Sequence, residues 1–264
     1  MQTDIAQLLT NIKLNIAAIE QGERHTAILN EIEADCIQLL ELMKLFLISE
    51  RDSYYGYFLM NLTYDVDFSS RSIAGILLNS VFVAAEFTAV FHTNPLLLCK
   101  FTLKEILFIV CHEIDHIVLN HPAEMLKSNP ERNPDVFERF NLAADASVND
   151  RLLKEMKDEH RGFLSAPEGH ISSTALKRMF KLRTVYPLES YLYYFQLIQN
   201  KPLPERAQQP QRMLFAAGNA GESEQEPDGD VVTAETCGKP TDHEWSNAGE
   251  DAEEVTAATR ELVN

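Results

Sequence analysis

Basic residues are scarce in this 264-residue chain: 23 Lys and Arg stand against 40 Asp and Glu, a formal net charge of −17. Binding to a phosphate backbone needs clustered Lys and Arg, so the balance argues against nucleic acid as a partner. Cysteine is scarce as well. Cys36, Cys99, Cys111 and Cys237 form no CxxC pair, which speaks against both a disulfide framework and a thiolate metal site. No run approaches about 18 uninterrupted apolar residues, so no membrane span is expected. The opening "MQTDIAQLLTNIKLNIAAIEQGER" has no basic segment ahead of an apolar core and does not read as a signal peptide. Together these absences point to a cytoplasmic protein with reduced cysteines.

What is present is unevenly distributed. A hydrophobic content of 45% suits a folded globular protein, but residues 218–264 carry 13 acidic side chains against Lys239 and Arg260 alone. From Lys201 the composition turns to Pro, Gln, Gly and Glu, so residues 201–264 are expected to be an acidic linker and tail, largely disordered. Upstream, apolar residues at 3- and 4-residue spacing predict helices over 5–19 and 26–49, which make 1–52 an N-terminal helical segment packed on the core. "YYGYFLMNLTYDVDF", "SIAGILLNSVFV" and "FTAVFHTNPLLLCKF" are rich in aromatic and β-branched residues and predict three short strands. Thr102 with Glu105 forms a capping box that opens a helix running to about Asn120, stopped near Pro122. A second long helix is expected over 135–156 and shorter ones over 173–181 and 188–199. Residues 53–200 therefore read as an α+β domain, a small sheet packed on a pair of helices.

One of those helices carries groups that dislike burial: "FIVCHEIDHIVLNHPAEM", residues 108–125. His112 and His116, four residues apart, project from one helix face a turn apart, the spacing that lets two imidazoles hold one zinc ion. Glu113 leans toward the open side of such a site, where it can take a proton from water and pass it to a leaving amine. A solvated face would explain the same residues, but Leu107, Val110, Ile114, Ile117 and Val118 surround them with apolar side chains. The third ligand expected is Asp145 on the second helix, set among the small residues of "NLAADASVND"; Asn149, one turn on, can orient a ligand histidine. His121 is the alternative third ligand, if the chain bends back at Pro122. Asp115 reads as a surface acid or as one that orients a ligand, Glu124 as a solvated loop acid, and Cys111 as a small core residue. His160 or His170 could stabilise an oxyanion.

The order "HTNPLLL", "TLKEILFIVCHEIDHIVLNH", "FERFNLAADASVNDRL" and "YPLESYLYYFQLI" resembles the metallopeptidase domain of bacteria and phages that typically precedes a von Willebrand A-like domain. The resemblance covers roughly residues 70–200, and "TDHEWSN" (241–247) is similar to a polar stretch beyond the family's linker. It implies a zincin-like fold, with His112 and His116 as ligands, Glu113 as general acid/base, and Asp145 in the matching position of an "AAD…N" helix. The expectation is a zinc metallopeptidase acting on a protein or peptide substrate. The alternative is a zinc-stabilised interaction module, without proteolysis, that docks a protein through its N-terminal helices or acidic tail. A hydrolase of non-peptide amide bonds comes third.

Overall fold

The computed structural model describes residues 2–22, 26–49, 53–70, 73–81, 86–127, 133–157 and 162–204. The acidic tail beyond residue 204, including Cys237 and the 241–247 stretch, lies outside the described residues, as does His160.

Helices α1 (Gln2–Glu20) and α2 (Thr26–Ser49) form as their periodicity dictates. Ile5, Leu9, Ile12 and Ile16 line one face of α1, and Ile32, Cys36, Leu39, Leu40, Met43, Phe46 and Leu47 bury the matching face of α2. These faces share one core with Ile106, Phe108, Ile109 and Val110 farther along the chain. The first predicted strand is in part a helix, α3 (Ser53–Met60). Its buried residues, Tyr55, Phe58 and Leu59, fall at i, i+3 and i+4, a helical spacing hidden by the aromatic composition.

The sheet that follows is small: β1 (Leu62–Val66), β2 (Ala74–Val81) and β3 (Glu86–Thr93), in the order β1-β3-β2. β3 runs parallel to β1 and antiparallel to β2. Its position beside β1 sets Asp65 opposite His92, and His92 Nδ1 lies 2.8 Å from Asp65 Oδ2. Asn94 then caps the short α4 (Pro95–Leu98), while its amide donates to Phe68 O and Ser70 O, tying the end of β3 to the turn after β1.

α5 (Leu103–Val118) begins at the expected capping box, with Thr102 Oγ1 accepting from Glu105 N and the Glu105 carboxylate accepting from Thr102 N. It ends because Asn120 turns left-handed, at φ 58°, a conformation Asn tolerates better than most residues. Pro122 does not stop α5. It sits in the first turn of a further helix, α6 (His121–Lys127), where a missing N–H costs nothing. Asn133 caps α7 (Pro134–Met156), and α8 (Ser173–Met179) and α9 (Tyr191–Ile198) close the described chain. The architecture is α+β, mostly helical. No helix among the described residues is long and apolar enough to cross a membrane.

α5 and α7 are the central pair. Every residue over 106–117 and over 140–150 is buried, so both helices are covered all round. α5 faces the core shared with α1, α2 and the sheet, whereas Leu142, Ala143 and Ala146 of α7 pack with Ile171, Leu176, Phe180, Tyr194 and Ile198. Polar side chains on these two helices must therefore find partners inside the protein.

Candidate metal centre

α5 contributes His112 and His116, and α7 brings Asp145 against them. His112 Nε2 and His116 Nε2 are 2.8 Å apart, and Asp145 Oδ1 lies 3.6 Å from the first and 3.3 Å from the second. One ligand atom from each residue falls within 4.8 Å of the others, the one group of metal-ligand donors found among the described residues. Bonds of ~2.0–2.2 Å at tetrahedral angles set ligand atoms about 3.3–3.6 Å apart; the two edges to Asp145 have that length, and the 2.8 Å edge between the imidazoles is shorter. The chemistry of the donors agrees: all three residues are at most 1% exposed, and a carboxylate held between two imidazoles away from water is costly unless a cation joins it. A buried His/His/Asp group of this kind suggests a metal ion.

The outward nitrogens of the two histidines are also engaged. His112 Nδ1 lies 2.8 Å from Asn149 Oδ1, and Asn149 Nδ2 donates to Ile171 O at 2.7 Å. The second bond fixes the amide with its oxygen toward His112, so His112 Nδ1 carries a proton and Nε2 is the nitrogen turned toward Asp145. His121 is brought elsewhere: its Nδ1 is 2.9 Å from His116 Nδ1, the nitrogen that faces away from the His112–Asp145 group.

Glu113 is buried at 1% exposure, beside His112. Asp115 is not a surface acid. It is fully buried on the side of α5 toward α3, accepts from Tyr55 Oη at 3.1 Å and has Arg151 Nε at 3.8 Å. Burial pushes its carboxyl up to about 6, against the opposing pull of Arg151 and Tyr55. Glu124 is not a loop acid either. It belongs to α6, is half-buried, and takes bonds from Lys127 Nζ and Tyr191 Oη. Cys111 is a buried core residue, as expected. His170 donates from Nδ1 to Pro167 O at 2.9 Å, with its ring centroid 6.5 Å from that of Phe108. Asp150 was not singled out in the sequence. It accepts from Ser173 N, Leu188 N and Tyr194 Oη, tying α7 to α8 and α9. Nothing local in the sequence distinguishes a carboxylate that binds backbone from one that faces solvent.

A family model described as "Putative metallopeptidase domain" matches residues 88–263. The match begins within β3, takes in α5, α6 and α7, and continues through the acidic tail, past residue 200 where the sequence resemblance ends. No curated protein and no solved structure matches the chain.

Proposed function

We propose, from the premise that the chain belongs to the metallopeptidase-domain family matched over residues 88–263, that it is a zinc-dependent peptidase. In this reading His112, His116 and Asp145 hold the metal and Glu113 moves the proton. The observation that carries it is the three-donor group of His112, His116 and Asp145, with Glu113 beside one donor. Three protein donors leave a fourth position, as catalytic sites do, whereas structural zinc sites close with four. Imidazole and carboxylate together favour zinc over magnesium or calcium, which take oxygen ligands.

Zinc in that position would polarise a peptide carbonyl and lower the pKa of a water toward ~7. The chain's own residues do the rest. Glu113 takes a proton from the attacking water as the water adds to the scissile carbonyl carbon. The C–N bond then breaks, and Glu113 returns the proton to the departing nitrogen, leaving a carboxylate and an amine. Asn149 keeps His112 in the tautomer that presents Nε2 inward. The substrate class is protein or peptide.

One observation favours the second reading, a zinc-stabilised interaction module. His112, Glu113, His116 and Asp145 are all at most 1% exposed, as suits a metal that staples α5 to α7. A peptidase must let a peptide reach this position. Glu113→Gln separates the two readings. A peptidase keeps its fold and metal but loses cleavage of a proteome-derived peptide library by about 10²–10⁴-fold; a module cleaves nothing even as the wild type.

A further inference from the structure

An uninterrupted α5 would carry residue 121 about 140° around the helix from His116. The left-handed turn at Asn120 prevents this, and α6 starts with His121 folded back onto His116. The two Nδ1 atoms meet at 2.9 Å, while His116 Nε2 faces His112 Nε2 at 2.8 Å and Asp145 Oδ1 at 3.3 Å. The in-plane directions of the two nitrogens of an imidazole diverge widely, so His121 stands behind His116.

We propose that His121 is a positioning residue: the hydrogen-bond acceptor that holds His116 in its ligating tautomer, as Asn149 does for His112. This rests on the reading of His112, His116 and Asp145 as metal ligands. A contact of 2.9 Å between two ring nitrogens has room for one proton. When His116 Nε2 gives its lone pair to a metal, that proton belongs to His116 Nδ1, and His121 Nδ1 accepts it. His121 is held for the task. It is 1% exposed, with the rings of Phe140 and Tyr191 meeting it nearly edge-on at centroid distances of 6.3 and 5.2 Å. Tyr191 is itself anchored through its hydroxyl to Glu124 on the same short helix. The two ligand histidines are thus oriented from different elements, His112 from α7 and His116 from α6.

The test uses the full-length chain and two substitutions. His121→Phe keeps a ring against Phe140 and Tyr191 but removes the acceptor, and His121→Asn restores an acceptor of the kind Asn149 supplies. Zinc affinity measured by chelator competition should fall about 10–100-fold in His121→Phe and recover to within a few-fold of wild type in His121→Asn. In cobalt-loaded wild type, proton NMR should show two slowly exchanging, metal-shifted ring N–H signals, one from each ligand histidine. His121→Phe should lose the slow exchange of the His116 signal and keep that of His112. Wild-type affinity with both signals intact in His121→Phe overturns the positioning role alone. Three imidazoles counted by X-ray absorption of the zinc-loaded wild type also overturn it, because His121 would then be a ligand. A wild type that takes up neither metal overturns the ligand reading itself. If His121→Phe fails to fold, the wild-type cobalt spectrum still decides, since a rapidly exchanging His116 N–H contradicts an acceptor at His121.

Discussion

Asp145 is the side chain whose surroundings are hardest to reconcile with an empty apolar junction. It is fully buried on α7 with two imidazole nitrogens 3.3 and 3.6 Å from one oxygen. Asn149 gives this residue-scale reading a graded test: Asn149→Ala should lower metal affinity about 10–100-fold, less than loss of a ligand, by releasing the tautomer and plane of His112. Asp115, next to His116 in sequence, makes a separate prediction. Its folded carboxyl is raised from 3.8 to about 6 by burial, so the unfolded chain gives up this proton first. The stability that Asp115 contributes is therefore complete below about 3.8 and declines as pH rises through about 6. In the metal-free protein, the unfolding free energy of wild type relative to Asp115→Asn should fall by at most about 3 kcal/mol between pH 4 and pH 6.5 and then level off. Urea unfolding at several pH values measures this; a difference that rises over the window would mean that Arg151 outweighs burial.

Among the elements, α3 depends on one close approach. A Cβ added at Gly56 would lie 2.5 Å from Ile48 Cγ1, 2.9 Å from Ile48 N and 3.0 Å from Lys44 O, and two of those neighbours are α2 backbone that cannot step aside. Ala favours a helix over Gly by about 1 kcal/mol, while overpacking costs typically ~1–3 kcal/mol. Gly56→Ala should therefore be net destabilising in urea unfolding, against the helix propensity. The same segment shows where the sequence was hard to read. α1, α2, α5 and α7 were legible because their apolar spacing or capping residues are local: the Thr102–Glu105 box appears as expected, and α2 spans the predicted 26–49. α3 is hidden in the sequence because Tyr and Phe favour strands in composition while their placement against α2 is a tertiary fact. α6 is hidden because Pro122 can end one helix or begin another, and the left-handed Asn120 that decides between them leaves no mark in the pattern. In the candidate site, His112, His116 and Asp145 were legible from helical periodicity and residue type. The place of His121 was not, since it depends on that same turn.

At the scale of the whole molecule, the metal would join two packing regions: the large core behind α5 and the smaller one between α7, α8 and α9. Loading a site at about 1,000 times its Kd stabilises by about 4 kcal/mol, and each kcal/mol moves the thermal midpoint of a chain this size by roughly 2–4 °C. Chelation should thus lower the midpoint by roughly 8–16 °C, reversibly on adding zinc; a midpoint indifferent to chelator would speak against a metal that holds α5 to α7. A chain ending at residue 204 is expected to keep the fold of its core, because the acidic stretch that follows lacks apolar periodicity and has little surface to bury; circular dichroism and limited proteolysis of the shortened chain test this. The most direct measurement is the metal content of the purified chain by elemental mass spectrometry, for wild type beside Asp145→Ala. One zinc per chain in wild type and little or none in Asp145→Ala is the expected result. No metal in wild type, or zinc kept by Asp145→Ala, would contradict the His112–His116–Asp145 centre.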